Sequence, residues 1–249
     1  MKYQHIFFDL DGTLTDSADG IVNSVRYALE KQGIVPPARE QLLPFVGPPL
    51  LDSFHKYYGM DREHGMQAIE AYREYFTDRG WKENSVYEGI PDVLKQLKDA
   101  GAHLYIATSK PEPFAKRIAE HFGLAGYFDR IAGATLDERI TGKGQVIQML
   151  LEELADIPVS QIVMVGDREH DVLGAKEHGI ACVGVLYGYG NRKELEQAQA
   201  MTICPTPEAL LTCQMCIRDR CRLWCKLRRT GGIALDAEFM CEWCQCCEY

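Results

Sequence analysis

The chain has 249 residues, 46% of them apolar, and its 36 acidic and 27 basic side chains give a net charge of −9. This composition is typical of a globular protein with one large or two modest domains, and the acidic balance argues against a nucleic-acid partner. No run of residues approaches the ~18 apolar positions of a membrane span. The N-terminal stretch MKYQHIFFDLD reaches its acids too soon for a signal peptide. We therefore expect a cytoplasmic protein, a monomer or homodimer, without a membrane partner.

The first predicted element is a short strand that ends in two carboxylates. Residues 6–16 read IFFDLDGTLTD, and because strand side chains alternate, Asp9 and Asp11 project to the same side. Two like charges held that close share either a proton or a cation, and the second option makes a metal site. The alternative is a solvated turn, since Asp-Gly is a common turn dipeptide.

Residues 17–85 follow with no convincing strand. Three stretches carry helical periodicity, namely SADGIVNSVRYALEKQG, PLLDSFHKYYG and REHGMQAIEAYREYFTDRG. The sequence therefore predicts a small, inserted all-helical domain at 16–85, standing above the two carboxylates.

From residue 86 onward, apolar runs alternate with helical patterns. Candidate strands are HLYIAT (103–108), DRIAG (129–133), QIVMVG (161–166) and ACVGVL (181–186). Strands joined by helices in this way predict an α/β fold with a doubly wound parallel sheet, whose site lies at the carboxyl ends of the strands. We expect this core domain to comprise 1–15 and 86–212.

Polar residues follow three of the predicted strands directly. They are Asp9 and Asp11, then Thr108, Ser109 and Lys110, then Asp167 and Asp171. Several carboxylates at one edge suit a hard cation such as Mg²⁺, and a hydroxyl with amides at a helix start suits a phosphate oxygen. Lys143, which opens a helix, is the natural additional cation; the alternative is an ordinary surface lysine.

These residues resemble the motifs of a known family. DLDGT at 9–13, TSK at 108–110, Lys143 and GDREHD at 166–171 are similar to the four motifs of the haloacid dehalogenase superfamily, in its aspartate-nucleophile phosphatase branch. The helical insert resembles that family's small cap. FVGPPL at 45–50 and VYEGIPDVL at 86–94 resemble the subgroup of phosphoglycolate phosphatases and 5′-nucleotidases. The resemblance covers about residues 1–211.

The resemblance implies a role for each motif residue. Asp9 would attack phosphorus and become an aspartyl phosphate, and Asp11 would act as general acid and then as general base. Thr108 and Lys143 would bind the transferring phosphoryl oxygens. The implied ligands of the Mg²⁺ cofactor are Asp9, Asp11 through its carbonyl, Asp167 and Asp171.

The substrate is left as a small phosphorylated metabolite, either phosphoglycolate or a nucleoside monophosphate. The candidates for facing its leaving group are Gly47, Pro48, Pro49, Ser109 and Lys110, although Gly-Pro-Pro also suits a rigid turn. Two other functions remain open: a sugar phosphomutase, whose motif typically has Val where this chain has Thr13, and a non-catalytic phosphate-binding or partner-binding protein.

The segment 213–249 differs in composition from everything before it. It holds eight of the ten cysteines, and the family pattern offers nothing to align with it. One interpretation is a zinc site built from two C-x₂-C pairs, Cys213 with Cys216 and Cys241 with Cys244. The favoured interpretation is a non-native tail, because MCIRDR resembles the peptide translated from sequencing-adapter DNA.

Overall fold

The computed structural model describes residues 3–215. Within them the strands are β1 (His5–Phe8), β2 (Thr15–Asp16), β3 (Ser85–Val86), β4 (His103–Pro111), β5 (Arg130–Ala134), β6 (Ile162–Gly166), β7 (Ala181–Val185) and β8 (Thr202–Cys204). The α-helices of the same residues are α1 (Ala18–Lys31), α2 (Arg39–Leu42), α3 (Leu50–Tyr58), α4 (Arg62–Tyr75), α5 (Ile90–Asp99), α6 (Glu112–His121), α7 (Lys143–Glu153), α8 (Glu169–Glu177), α9 (Arg192–Gln197) and α10 (Ala209–Met215). Among these residues, no helix has the length and apolar character needed to cross a membrane.

Six of the strands form one parallel sheet in the order β5-β4-β1-β6-β7-β8. The central strand β1 pairs with β4 on one side and β6 on the other, so that His5 lies beside both His103 and Ile162. The chain runs outward from β1 through β4 to β5 and then returns to the far side of β1 for β6. The carboxyl ends of β4, β1 and β6 therefore flank the reversal of strand order, where ligands bind in such sheets. The predicted doubly wound sheet is confirmed.

Apolar layers bury both faces of the sheet. Every residue of β1 is buried, with Ile6 and Phe8 in one apolar layer and Phe7 in the other. The first layer includes side chains of α5, α6 and α10, and the second includes those of α7, α8 and α9. This arrangement explains why the strands read as continuous apolar runs instead of alternating ones.

The segment between β2 and β3 contains α1 to α4, two short turns and no strand of its own. Its ends are joined by a small antiparallel pair, Thr15 with Val86 and Asp16 with Ser85, which the sequence did not predict. Two-residue strands carry too little periodicity to be recognised. The division of the chain into a core and a separate cap domain remains a prediction.

Strand β4 is longer than predicted, and this changes the surroundings of the TSK motif. The strand continues through Ser109 and Lys110 to Pro111, with a register shift against β5, and α6 begins only at Glu112. The amides of Ser109 and Lys110 therefore belong to β4, and it is the end of this strand, predicted at Thr108, that differs from the prediction. A residue that precedes proline is driven into extended backbone, which keeps Lys110 in the strand. The sequence also missed β8.

The cysteine-rich segment falls almost wholly outside the described residues. Of the zinc ligands considered from the sequence, Cys216, Cys241 and Cys244 lie outside residues 3–215. The remaining one, Cys213, has its Sγ 2.8 Å from Sγ of Cys204.

A substitution at Gly20 would test how closely α1 packs on the π-helical turn Phe76–Gly80. A Cβ at Gly20 would overlap the carbonyl oxygen of Gly80. Gly20→Ala should therefore lower the free energy of unfolding by about 1–3 kcal/mol, since overpacking forces the backbone to move. The matched control is Gly126→Ala, where a Cβ meets nothing within 4 Å. Urea unfolding of the two variants measures the difference, and equal stabilities would contradict this packing.

Truncation tests the interpretation of the tail. Residues 3–215 by themselves form both apolar layers described above, including Leu210 of α10, which is fully buried. A chain of residues 1–215 should therefore unfold at the same temperature as the full chain. A chain ending at Thr206 should lose roughly 2–5 kcal/mol of stability, because it lacks Leu210. A marked loss on removal of 216–249 alone would indicate that the tail is native.

Candidate active site

The polar edge of the sheet begins where β1 ends. The amide of Asp9 still donates to the Val165 carbonyl of β6, so its position is fixed by the sheet ladder. The chain then turns at Gly12, whose φ of 80° lies in the left-handed region that glycine adopts freely. As a result Asp9 and Asp11 are both buried, with exposures of 4% and 6%, and the solvated-turn alternative is wrong.

Three carboxylates converge below this turn. Asp9, Asp167 and Asp171 each offer an oxygen within 4.8 Å of the others, and all three side chains are buried. Burial, opposed by Lys143 and reinforced by Asp171, raises the pKa of Asp9 to about 6. Burial and then repulsion from Asp171 and Asp9 raise the pKa of Asp167 well above its usual range. The cluster therefore carries more negative charge than its surroundings neutralise.

Lys143 is the cation that holds the cluster together. Its Nζ lies 2.7 Å from Oδ1 of Asp9, 2.8 Å from Oδ1 of Asp171 and 3.0 Å from the Ala107 carbonyl. Burial alone would lower the pKa of Lys143, but the Asp171 and Asp9 carboxylates outweigh it and raise this pKa. The side chain is only 4% exposed, so the surface-lysine alternative is wrong.

The backbone before α7 fixes the position of Lys143. The two backbone amides before it, those of Thr141 and Gly142, both donate to Oε1 of Gln145. These hydrogen bonds cap the N-terminus of α7. Gly174 of α8 gives the lysine its room, since a Cβ there would press on the lysine stem at about 3.0 Å. The lysine is thus placed by local hydrogen bonds and by a glycine of the neighbouring helix.

The three carboxylates fit a hard divalent cation. Mg²⁺ takes a few protein oxygens and completes its shell with water and phosphate, which matches an all-oxygen, buried cluster with excess negative charge. Two glycines leave room for the Asp167 carboxylate in this cluster, since a Cβ at Gly12 or at Gly188 would overlap its side chain. Asp167 is oriented by the Tyr189 amide, which donates to its Oδ2 at 2.7 Å.

Asp11 is not one of these three carboxylates and has a different partner. Its Oδ2 pairs with Lys110 Nζ at 2.9 Å, while its Oδ1 is buried without a hydrogen-bond partner. Lys110 is itself buried and lies over the Phe76 ring, 4.6 Å from the centroid. An oxygen without a partner in a buried site is costly unless a ligand uses it. This arrangement suits a carboxyl group that exchanges a proton with a bound ligand.

Thr108 lies at the same edge and is 1% exposed. Its Oγ1 accepts the amide of Lys110 at 3.2 Å, so the hydroxyl hydrogen remains available for an oxygen of a ligand. Ser109 is partly exposed and lines the neighbouring cavities.

A cavity of about 60 Å³ adjoins Asp11 and Lys110. Gly47, Pro48 and Pro49 line it from the helical segment, where the sequence expected them to face a ligand. Arg168 steadies this loop, because its Nη1 donates to the Val46 carbonyl at 2.9 Å.

Two residues that sequence reasoning missed complete the wall of this cavity. Arg73 of α4 and Glu138 of the β5–α7 loop both line it, and Nη2 of Arg73 lies 2.5 Å from Oε1 of Glu138. In the sequence, Arg73 falls in an ordinary helical pattern and Glu138 in a loop, so neither carries a signal of its own.

Comparison with known proteins agrees with this geometry. The family model described as "Haloacid dehalogenase-like hydrolase" matches residues 6–185. A 5′-nucleotidase from Pseudomonas aeruginosa is 44% identical over 210 residues, which are 84% of this chain and 95% of that protein. A tyrosine-protein kinase PtkA from Mycobacterium tuberculosis is 43% identical over 80% of this chain and 68% of its own length. The crystal structure of a predicted phosphatase from Clostridium acetobutylicum has 46% identity and a TM-score of 0.84, covering 86% of this chain and 99% of that one.

The acidic cluster predicts a response to Mg²⁺ that does not depend on turnover. At about one hundred times its dissociation constant, a bound ion adds ~2.7 kcal/mol of stability, or roughly 5–10 °C in melting temperature. We expect this increase for the wild type, relative to EDTA, and none for Asp167→Asn. The exposed Asp19→Asn is the control, and a melting temperature insensitive to Mg²⁺ in the wild type would contradict the metal site.

Proposed function

The chain belongs to the haloacid dehalogenase-like hydrolase family and is a phosphatase, and we propose that it hydrolyses phosphomonoesters through an aspartyl phosphate on Asp9 with Mg²⁺ as cofactor. The observation that carries the proposal is the buried contact of Lys143 with both Asp9 and Asp171, at the ends of the central strands. Asp11 lines a cavity of about 60 Å³, and Lys143 lines the cavity that adjoins it. The proton donor and the cation thus lie on two neighbouring cavities at the same edge of the sheet.

In the first half-reaction, an oxygen of Asp9 forms a bond to phosphorus while the bond to the leaving oxygen breaks. Asp11, protonated at that moment, transfers its proton to the leaving oxygen, which departs as an alcohol. Lys143 and the Thr108 hydroxyl bind the equatorial phosphoryl oxygens, where charge neutralisation lowers the barrier.

In the second half-reaction, water attacks the phosphorus of the aspartyl phosphate. Asp11, now a carboxylate, accepts a proton from that water, and the Asp9–phosphorus bond breaks to restore the free carboxylate and release phosphate. Burial of Asp9 and Asp11 keeps bulk water from the intermediate until the leaving group has gone.

The residues that would hold Mg²⁺ are Asp9, Asp11 through its carbonyl, Asp167 and Asp171. When bound, the ion neutralises negative charge on the phosphoryl group and on the cluster. The raised pKa values of Asp9 and Asp167 indicate that the protein alone supplies too little positive charge to these carboxylates. Without the ion, the carboxylates would instead take up protons.

The substrate is a small phosphorylated metabolite, with phosphoglycolate and nucleoside monophosphates as the two candidates. The Pseudomonas relative's name supports the nucleotide, and the small volume beside Asp11 supports the shorter acid. Helices α1 to α4, as a cap domain over the core, would supply Gly47, Pro48 and Pro49 to the leaving group, and Ser109 and Lys110 would face it from the core. We propose no nucleic-acid or membrane partner, a cytoplasmic location, and a monomer or homodimer.

The decisive assay measures phosphate release from phosphoglycolate, nucleoside monophosphates, sugar phosphates and pyrophosphate, with Mg²⁺ or EDTA. Asp9→Asn should lower kcat at least ~10³-fold, because it removes the nucleophile. Asp11→Asn should lower it about 10²- to 10⁴-fold, as expected when a general acid is lost. Asp19→Asn, an exposed change on α1, should leave it unaltered.

Retention of activity in Asp9→Asn would disprove the aspartyl-phosphate mechanism. Phosphosugar isomerisation without phosphate release would indicate the mutase instead. Transfer of the phosphoryl group to a tyrosyl peptide in place of water would indicate the tyrosine-kinase activity for which the mycobacterial relative is named.

A further inference from the structure

The cavity beside Asp11 is where the leaving group must lie. This inference rests on the proposed function, in which Asp11 protonates the leaving oxygen and must therefore be within hydrogen-bond reach of it. A second cavity of about 490 Å³ adjoins it on the Lys143 side, but Asp11 is not among that cavity's lining residues. A leaving group placed there would have no acid beside it.

The cavity is narrow because two parts of the chain close on it. One wall is the end of α4 with the turn that follows, including Tyr72 and Phe76, and the opposite wall includes the β5–α7 loop. The ion pair of Arg73 and Glu138 joins these walls across 65 positions of sequence.

The ion pair of Arg73 and Glu138 is less exposed to solvent than the ion pairs on the surface, so it should be more persistent. The Arg73 and Glu138 side chains are 21% and 9% exposed, whereas those of Lys31 and Glu74, a pair between α1 and α4, are 53% and 60% exposed. Exposed pairs contribute little, but separating a largely buried pair leaves two charges without compensation.

Within the β5–α7 loop, the backbone of Glu138 has an unusual conformation. Its φ is 57°, in the left-handed region that a non-glycine residue rarely adopts. Thr135 holds the loop closed around it: its Oγ1 accepts the amides of Arg139 and Ile140, and its own amide donates to the Ile140 carbonyl. The strained position directs the Glu138 carboxylate to Arg73 instead of to solvent.

We propose that the Arg73–Glu138 ion pair sets the size of leaving group that the enzyme accepts, by holding α4 against the β5–α7 loop. With the pair formed, the cavity volume is about 60 Å³. At about 10–15 Å³ for each water, this is room for roughly four to six water molecules. An acid of a few heavy atoms fits that space, whereas a nucleoside requires the walls to separate and the pair to break.

The test compares a small with a large leaving group in the same variants. The ratio of kcat/KM for AMP to kcat/KM for phosphoglycolate should rise roughly three- to tenfold in Arg73→Met and in Glu138→Gln. Arg73→Lys, which keeps the cation, should keep the wild-type ratio. The charge-reversed double variant, Arg73→Glu with Glu138→Arg, should restore much of it. A partial loss of active protein lowers both kcat/KM values by the same factor, so it does not change their ratio.

Two matched controls separate this role from a general change of charge. Glu74→Gln alters the residue next to Arg73 on α4, and Arg139→Gln alters the residue next to Glu138, where the side chain is 82% exposed. Both should leave the ratio unchanged. Amide hydrogen exchange over residues 135–142, measured without substrate, should be faster in Arg73→Met than in either control.

The possible failures are distinguishable. A wild type that hydrolyses neither ester would overturn the proposed function. A wild type that hydrolyses them, with an unchanged ratio in folded Arg73→Met and Glu138→Gln, would overturn the size limit alone. An equal rise in the two controls would also overturn it, since the effect would then be one of net charge.

Discussion

An excess of buried negative charge lies where β1 and β6 end, and it determines what the surrounding elements must provide. Asp9, Asp167 and Asp171 oppose a single buried ammonium, that of Lys143, so full ionisation leaves the cluster short of positive charge. The raised pKa of Asp9 is the measure of that shortage. A cluster that must take up either protons or a divalent cation is a site for anion chemistry, because the cation then attracts a phosphoryl group.

The strand order and several glycines position the charged residues of this cluster. The strand order places the ends of β4, β1 and β6 side by side, and each contributes one polar segment. Glycines then make room: Gly12 and Gly188 leave the Asp167 carboxylate its space, and Gly174 does the same for Lys143. Apolar layers on both faces of the sheet keep the strands rigid, so the charged groups are held at their separations without needing to attract one another.

The sequence predicted what depends on local pattern and on strand direction. Asp9, Asp11, Thr108 and Asp167 follow apolar runs directly, and any parallel sheet brings such residues to one edge. The sequence could not predict Arg73 and Glu138, because their relation depends on how α4 packs over a loop 65 positions later. It also ended β4 at Thr108, whereas the strand continues to Pro111, because the extended backbone that Pro111 imposes on Lys110 leaves no periodic pattern. Long-range side-chain pairs and proline effects carry no periodicity.

Arg73 and Lys110 show how a cavity with two cations in its lining can still be selective by size instead of by charge. Each cation is already paired, Arg73 with Glu138 and Lys110 with Asp11, so neither is free to attract an anionic leaving group without breaking a buried contact. A leaving group would therefore be chosen by whether it fits between the paired residues. In the proposed mechanism, attraction is left to the phosphoryl side, where Lys143 and a cation held by Asp9, Asp167 and Asp171 would act on the part that all phosphomonoesters share. The two proposals together assign catalysis to the sheet edge and selectivity to α4 and the β5–α7 loop.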